Sequence, residues 1–393
     1  MDVVTYRSCS AGETFDRVSP FLYRLGITRV ARQTGLDKIG IPVWCAVQPN
    51  ALAIVIAQGK GLDNEAARTS AVMEAVERSV ATAPCCRVIT SSRAVFEEKT
   101  IRHDRLDELL AAKTQPLAMD EALEWVAARH LLTGEEVWLP YDAVHLDRSL
   151  DHRRYWQSSD GLASGNHREE AILHGLLERI ERDAHTLWQI TPPNRRYARR
   201  LDPASLVLPE LRIMVERIEQ AGLEIAIFDM TSDLSLPAIT ALLAPRDRKA
   251  LPVLRHVEVT LGCGAHAHPE VAVSRAVSEA VQSRMTFIAG ARDDHLPQIF
   301  EQPASSDTLV AFDAVPSIAL SSLPSFDAAN TASALQAVLD RLSNRRIDRL
   351  YAVDLSPEWL PASVVKVIAP QLENPDGERR QRFGMRAISR ALQ

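Results

Sequence analysis

Ser70-Ala71-Val72-Met73-Glu74-Ala75-Val76-Glu77-Arg78 decides how this chain reads. Its two acids stand three residues apart, so both project from one helix face, and Arg78 follows Glu74 at i+4. Small residues, Ala67, Ser70 and Ala81, flank that face, which a solvated helix does not require. The spacing predicts a helix from Asn64 to about Thr82, starting at Asp63 or Asn64 with Glu65 in its first turn. The same frame returns twice. Ala171, His174, Glu178, Glu181 and His185 occupy it in a helix predicted over about Arg168–Trp188, with Arg182 after the second acid and small Gly175 and Ala184 beside it. Ala272, Arg275, Glu279, Gln282 and Thr286 occupy it in a third helix, Pro269 to about Ile288, with Arg284 two past Gln282. The other faces of these helices offer Val72, Val76, Leu173, Leu177, Val277 and Val281 to a core.

If the three faces converge, at least five acids meet with arginines nearby. Such a cluster is unstable unless cations neutralise it. Magnesium prefers hard carboxylate and phosphate oxygens, so a nucleotide–magnesium site is the economical explanation. For any single helix, a surface Glu–Arg pair is the plainer reading; three helices in one frame favour convergence. Gly59-Lys60-Gly61 offers N–H groups and an ammonium to phosphates, but it lacks the GxxxxGK[ST] spacing and by itself reads as a tight turn. Gly262 to Glu270 contains His266 and His268 two residues apart with no obvious third metal ligand. It reads as a turn feeding a helix with Pro269 at its first position. Cys263 reads as a small buried thiol, and Cys85-Cys86 as the end of a helix in the core.

Outward from these helices, 39–58 forms a hairpin around Pro49-Asn50, and Leu25–Val30 a strand before it. Residues 102–150 mix helix, Leu106–Ala112, with short strand, Val137–Leu146. Ser158 to Asn166 reads as a small-residue loop. A helix Leu208–Ala221 precedes strands Leu223–Asp229, Leu236–Leu243 and His256–Leu261. Residues 290–330 form a long excursion rich in Pro, Ser and Asp. A helix Ala332–Leu342 and strands Leu350–Val353 and Val364–Ile368 close the chain. The 393 residues are 46% apolar and 24% charged, which excludes dominant disorder. A net charge of −6 gives no basic bias toward nucleic acid, and no apolar run is long enough to span a membrane. The opening MDVVTYRSCSAGET lacks the pattern of a signal peptide, and five scattered cysteines without a CxxC pair fit a reducing cytoplasm.

These residues resemble the YcaO family over about residues 20–290. The resemblance rests on Gly40-Ile41-Pro42-Val43, Gln58-Gly59-Lys60-Gly61, the Ser70–Arg78 stretch, Asn166, Glu170, Gly175, Glu178 to Ala184, and Gly262 to Arg284. It implies an α+β fold in which mixed or antiparallel sheets pack with long helices around ATP. It implies an N-terminal hairpin region over 1–60, an ATP- and Mg²⁺-binding core over 61–290, and a C-terminal region, 291–393, completing one elaborated domain. It implies an enzyme that spends ATP to phosphorylate a peptide amide oxygen, so that phosphate leaves when a nucleophile attacks. Carried over by position, Glu74, Glu77, Glu178 and Glu181 are the metal ligands. Asn166, Glu170, Glu279, Gln282 and Arg284 line the nucleotide, with Lys60 and Arg182 near its phosphates. Arg7 with Ser10 or Thr14 matches the family's basic residue and small hydroxyl more loosely. The tail Gly384–Gln393 lacks the prolines of many azoline-forming members, and the length leaves no room for a fused leader-binding domain. Gly26–Ala31, Thr34–Asp37 and Ile39–Trp44 resemble the subgroup that works with a TfuA-type partner and makes backbone thioamides. Thioamide formation in a peptide or protein is therefore the expected reaction. Azoline formation on Cys, Ser or Thr is the alternative, and a non-catalytic scaffold the second. The resemblance also allows a homodimer.

Overall fold

The computed structural model describes residues 6–150, 153–375 and 377–392. The first residues of the opening stretch, 1–5, lie outside them. The fold is α+β, and all nine strand ladders are antiparallel. In chain order the strands are β1 Arg29–Arg32, β2 Val43–Val47, β3 Ile56–Lys60, β4 Val88–Ser91, β5 Leu123–His130 and β6 Glu136–Pro140. There follow β7 Leu162–Gly165, β8 Leu223–Asp229, β9 Ala238–Pro245, β10 Thr260–Ala265, β11 Tyr351–Asp354 and β12 Ser363–Ile368. They build a sheet β1-β2-β3, a sheet β10-β9-β8 and a six-stranded sheet β4-β5-β11-β12-β7 with β6 on β5.

Each acidic helix leaves the end of a strand. Asn64–Thr82 follows β3, Arg168–Ile190 follows β7, and Pro269–Ala289 follows β10. Asp63 caps the first, its side chain accepting from Ala66 N, and Pro269 opens the third, where its missing N–H is not needed. Val72, Val76, Leu173, Leu177, Val277 and Val281 are all buried. They belong to three different apolar clusters, one behind each helix. The acidic faces are therefore held rigidly from behind.

Several local expectations need correction. Gly59 and Lys60 lie inside β3, not in a tight turn. A Cβ on Gly59 would stand 2.0 Å from Ala71 N, so glycine serves the close packing of β3 on the first helix. The same holds for Gly262, which lies in β10 although a turn was expected there; its Cβ would stand 2.1 Å from Ala280 N. His256–Glu258 is a single 3-10 turn, and the strand begins at Thr260. Leu162–Gly165 is a strand, not part of a loop, because β12 pairs along it. The strand expected at Leu25–Val30 begins only at Arg29, and the helix expected at Leu106–Ala112 shrinks to a 3-10 turn, Asp107–Leu109. Cys85 is exposed and beyond the helix end at Thr82, whereas Cys263 is buried as expected. Among the described residues, no helix is long and apolar enough to cross a membrane.

Candidate active site

Arg182 is the hub where the acidic faces meet. Its guanidinium lies 3.4 Å from Asp160, 3.5 Å from Glu181, 3.6 Å from Glu178 and 4.0 Å from Glu279. Burial alone would lower its pKa, but these four carboxylates hold it well above the ordinary value. Lys60 reaches across from β3 to pair with Glu279. Burial pushes the Glu279 carboxyl up, yet Lys60 and Arg182 outweigh it and bring the value down to about 2. The Cys263 N–H also points at Glu279 from 3.4 Å.

On Glu77, Glu178 and Glu181, burial outweighs the neighbouring cations and hydrogen bonds. Glu77 accepts a 2.6 Å hydrogen bond from Ser164 Oγ, but burial, reinforced by Glu74 and Glu178, pushes its pKa up to about 8. Glu178 accepts from Gly161 N at 3.0 Å, and burial with neighbouring Asp160 and Glu181 raises it to about 7 despite Arg182. Burial likewise raises Glu181, which accepts from Ala265 N at 3.1 Å. Glu74 pairs with Arg78, whose guanidinium also donates to Ile56 O at 2.9 Å.

A third cluster closes one end. Arg7 donates to Glu170 Oε1 at 2.9 Å, and the Ser8 N–H and hydroxyl donate to Glu170 Oε2. Asn166 donates to Glu170 at 3.3 Å and accepts from Thr14 Oγ1 at 3.1 Å. Ser10 is engaged as the N-cap of Ala11–Val18, in a capping box with Glu13, and Thr14 joins Ser8 in placing a hydroxyl on this cluster. Gln282 donates to Gln58 O at 3.2 Å, and Arg284 stands 3.5 Å from Asp37. Gln282 thus ties the third helix to β3, and Arg284 ties it to the connection between β1 and β2.

Sequence reasoning assigned no role to Asp160, Ser164 or Arg275. Asp160 was read as loop, yet its carboxylate is part of the hub. Arg275 stood in the third frame, and its position facing the acids was the available signal. Its Nη2 lies 3.0 Å from His174 Nε2. An arginine only donates, so His174 Nε2 accepts, and burial with Arg7 and Arg275 nearby keeps that imidazole neutral. His266 and His268 stack on Tyr6.

Among the described residues, no three His, Cys, Asp or Glu side chains stand together as a self-sufficient metal site. Magnesium keeps waters and takes one or two carboxylates together with phosphate oxygens. Glu77 and Glu178, whose carboxyls burial and neighbouring acids push up, suit such an ion.

The family model described as a YcaO cyclodehydratase binding ATP and Mg²⁺ matches residues 58–373. The chain belongs to the YcaO family. This YcaO protein is 36% identical over 396 residues to an uncharacterised protein of the tfuA 3′ region of Rhizobium leguminosarum bv. trifolii, covering 98% of this chain and 92% of that one. It is 32% identical over 378 residues to an uncharacterised protein of Methanothermobacter thermautotrophicus, covering 92% and 93%. Among solved structures, YcaO from Methanopyrus kandleri bound with AMPPCP and Mg²⁺ superposes with a TM-score of 0.74 at 22% identity, covering 95% of this chain and 94% of that one. A heterocyclase in complex with substrate and cofactor gives 0.77 at 18% identity, covering 94% of this chain but 54% of that protein. These two likenesses show the fold. The family is one of ATP-dependent peptide-modifying enzymes with ATP and Mg²⁺ as cofactors.

Proposed function

We propose that this YcaO protein activates a peptide backbone amide by O-phosphorylation and that sulfide then replaces the oxygen, giving a thioamide. One observation carries the ATP–Mg²⁺ part: the under-neutralised acids Glu77 and Glu178 share one network with the cations Lys60 and Arg182, joined through Glu178 and Glu279. A magnesium polyphosphate presents a cation to the first and anionic oxygens to the second. In this reading Glu74, Glu77, Glu178 and Glu181 are the acids available to the metal, one or two of which would hold it together with waters and phosphate oxygens. Lys60 and Arg182 neutralise phosphate oxygens, and Arg7, Ser10, Asn166, Glu170, Glu279, Gln282 and Arg284 form the nucleotide surroundings.

ATP with Mg²⁺ supplies the phosphoryl group that converts a poor leaving group, the amide oxygen, into phosphate. The chain's own part is positioning and charge neutralisation. Arg182 stays protonated at any working pH, so it is a fixed positive charge for the transferring group. Glu279 holds Lys60 in place, and His174 holds Arg275 without adding charge of its own. Sulfide attack forms a C–S bond, the C–O bond breaks, and inorganic phosphate leaves with the former amide oxygen.

Thioamide formation is favoured over azoline formation by the relative from the tfuA 3′ region. A TfuA-type partner, a cytoplasmic setting and a homodimer belong to the same reading. The test is intact-mass analysis of candidate peptides co-expressed with this chain, a TfuA-type protein and sulfide. A gain of about 16 Da supports the thioamide, and a loss of about 18 Da means dehydration to an azoline instead. ATP bound without turnover on any peptide would support the scaffold alternative.

A further inference from the structure

Lys366 is a charge in an unexpected place. It sits within β12, paired with Val353 of β11 on one side and Leu162 of β7 on the other. Its strand neighbours Val364, Val365, Val367 and Ile368 are buried, and Lys366 itself is only 5% exposed. An ammonium is rarely taken so far from water without a specific partner. Here it donates to two backbone carbonyls, Ser158 O and Asp160 O, the second at 2.8 Å.

Those carbonyls belong to a loop with two outputs into the cleft. Asp160 directs its carboxylate at Arg182 Nε from 3.4 Å, and Gly161 directs its N–H at Glu178 Oε2 from 3.0 Å. Other contacts confirm that the loop is held in one shape. Ser158 Oγ accepts from Asp160 N at 3.0 Å and donates to its carboxylate, while Val367 N donates to Gly161 O at 2.7 Å. Gly161 has φ +75, and a Cβ there would stand 2.2 Å from Val367 O. The loop is thus pinned to β12 at two successive residues, by a side chain at 366 and by the backbone at 367.

We infer that Lys366 is a positioning residue for the phosphate site: by holding the Ser158 and Asp160 carbonyls, it aims Asp160 at Arg182 and the Gly161 N–H at Glu178. Lys366 acts through the loop and touches no substrate. The inference rests on the ATP–Mg²⁺ reading of the cleft.

The test is calorimetric titration of ATP–Mg²⁺ into the full chain as wild type, Lys366→Met, Asp160→Asn and the double variant. Lys366→Met is expected to weaken binding by about tenfold or more, and the same change made on Asp160→Asn to cost at least about threefold less, the remainder coming through the Gly161 N–H. That non-additivity is the signature of action through Asp160; a merely structural lysine would give multiplying losses. Binding within about twofold of wild type for Lys366→Met, or fully multiplicative losses, overturns the inference. If circular dichroism shows Lys366→Met unfolded, Lys366→Gln, which removes the ammonium and shortens the reach to both carbonyls, goes through the same cycle with the same criterion. A wild type that binds no ATP–Mg²⁺ overturns the reading of the cleft, and this inference with it.

Discussion

Glu279 and Glu77 are the same residue type on equivalent faces of two helices, and they are in opposite states. Glu279 is brought down to about 2, while Glu77 is pushed up to about 8. Both are removed from water, so burial acts upward on each. The difference is company: Lys60 and Arg182 beside Glu279, but Glu74 and Glu178 beside Glu77. Glu279 has its counter-charges as the protein folds. Glu77 gains one only when a cation joins it, so the apo fold carries a cost that its cofactor relieves.

Removing the hub should break this contrast most severely. Arg182→Met leaves Asp160, Glu178, Glu181 and Glu279 without their shared cation. We expect ATP turnover to vanish and stability to fall by about 3–5 kcal/mol, read by phosphate release and chemical denaturation. A variant that retains both would mean the four carboxylates do not depend on it.

Glu178→Gln should separate function from stability. The amide keeps the shape and removes a carboxylate that burial disfavours. Turnover is expected to fall by about 10²–10³-fold while apo stability stays level or rises, and the thermal shift on adding ATP–Mg²⁺ disappears. A stability loss without a loss of that shift would reverse the assignment.

The pH dependence sharpens the comparison further. Glu77 and Glu178 have raised folded pKa values, so the folded chain binds more protons than the unfolded one, and stability falls as pH rises toward those values. The buried histidines act oppositely. His185 is lowered to about 4 and His266 to about 3, so their contribution is complete above the ordinary 6.5. Between pH 6.5 and 8, therefore, apo stability should decline, and saturating ATP–Mg²⁺ should flatten the decline. Parallel slopes with and without the ligand would show that no cation reaches these carboxyls.

The smallest effect is expected at His268, outside this network. His268→Ala loses the 3.2 Å contact with the Tyr6 hydroxyl and should cost about 1 kcal/mol. Metal analysis should find no stoichiometric zinc before or after the change.

The acidic frames were legible because helical periodicity is local: acids three apart with valine or leucine opposite read the same in any context. The antiparallel strands were less so. Leu162-Ala163-Ser164-Gly165 has no β-branched residue to announce a strand, and β12 supplies its pairing from about two hundred residues away. Sequence reasoning did not foresee that Ser10 caps the helix Ala11–Val18 or that Thr14, on the first turn of that helix, reaches Asn166.

By itself, then, the sequence determined the three acidic helices, their apolar backs, the α+β class and the family, since each depends on short-range spacing or ordered motifs. Only the tertiary structure decided which glutamates are neutralised and which await a cation. It also decided that Asp160 completes the Arg182 hub and that Lys366 holds Asp160's loop. A charge's state depends on burial and on neighbours within a few ångströms, and here those neighbours come from strands and loops far apart in the chain.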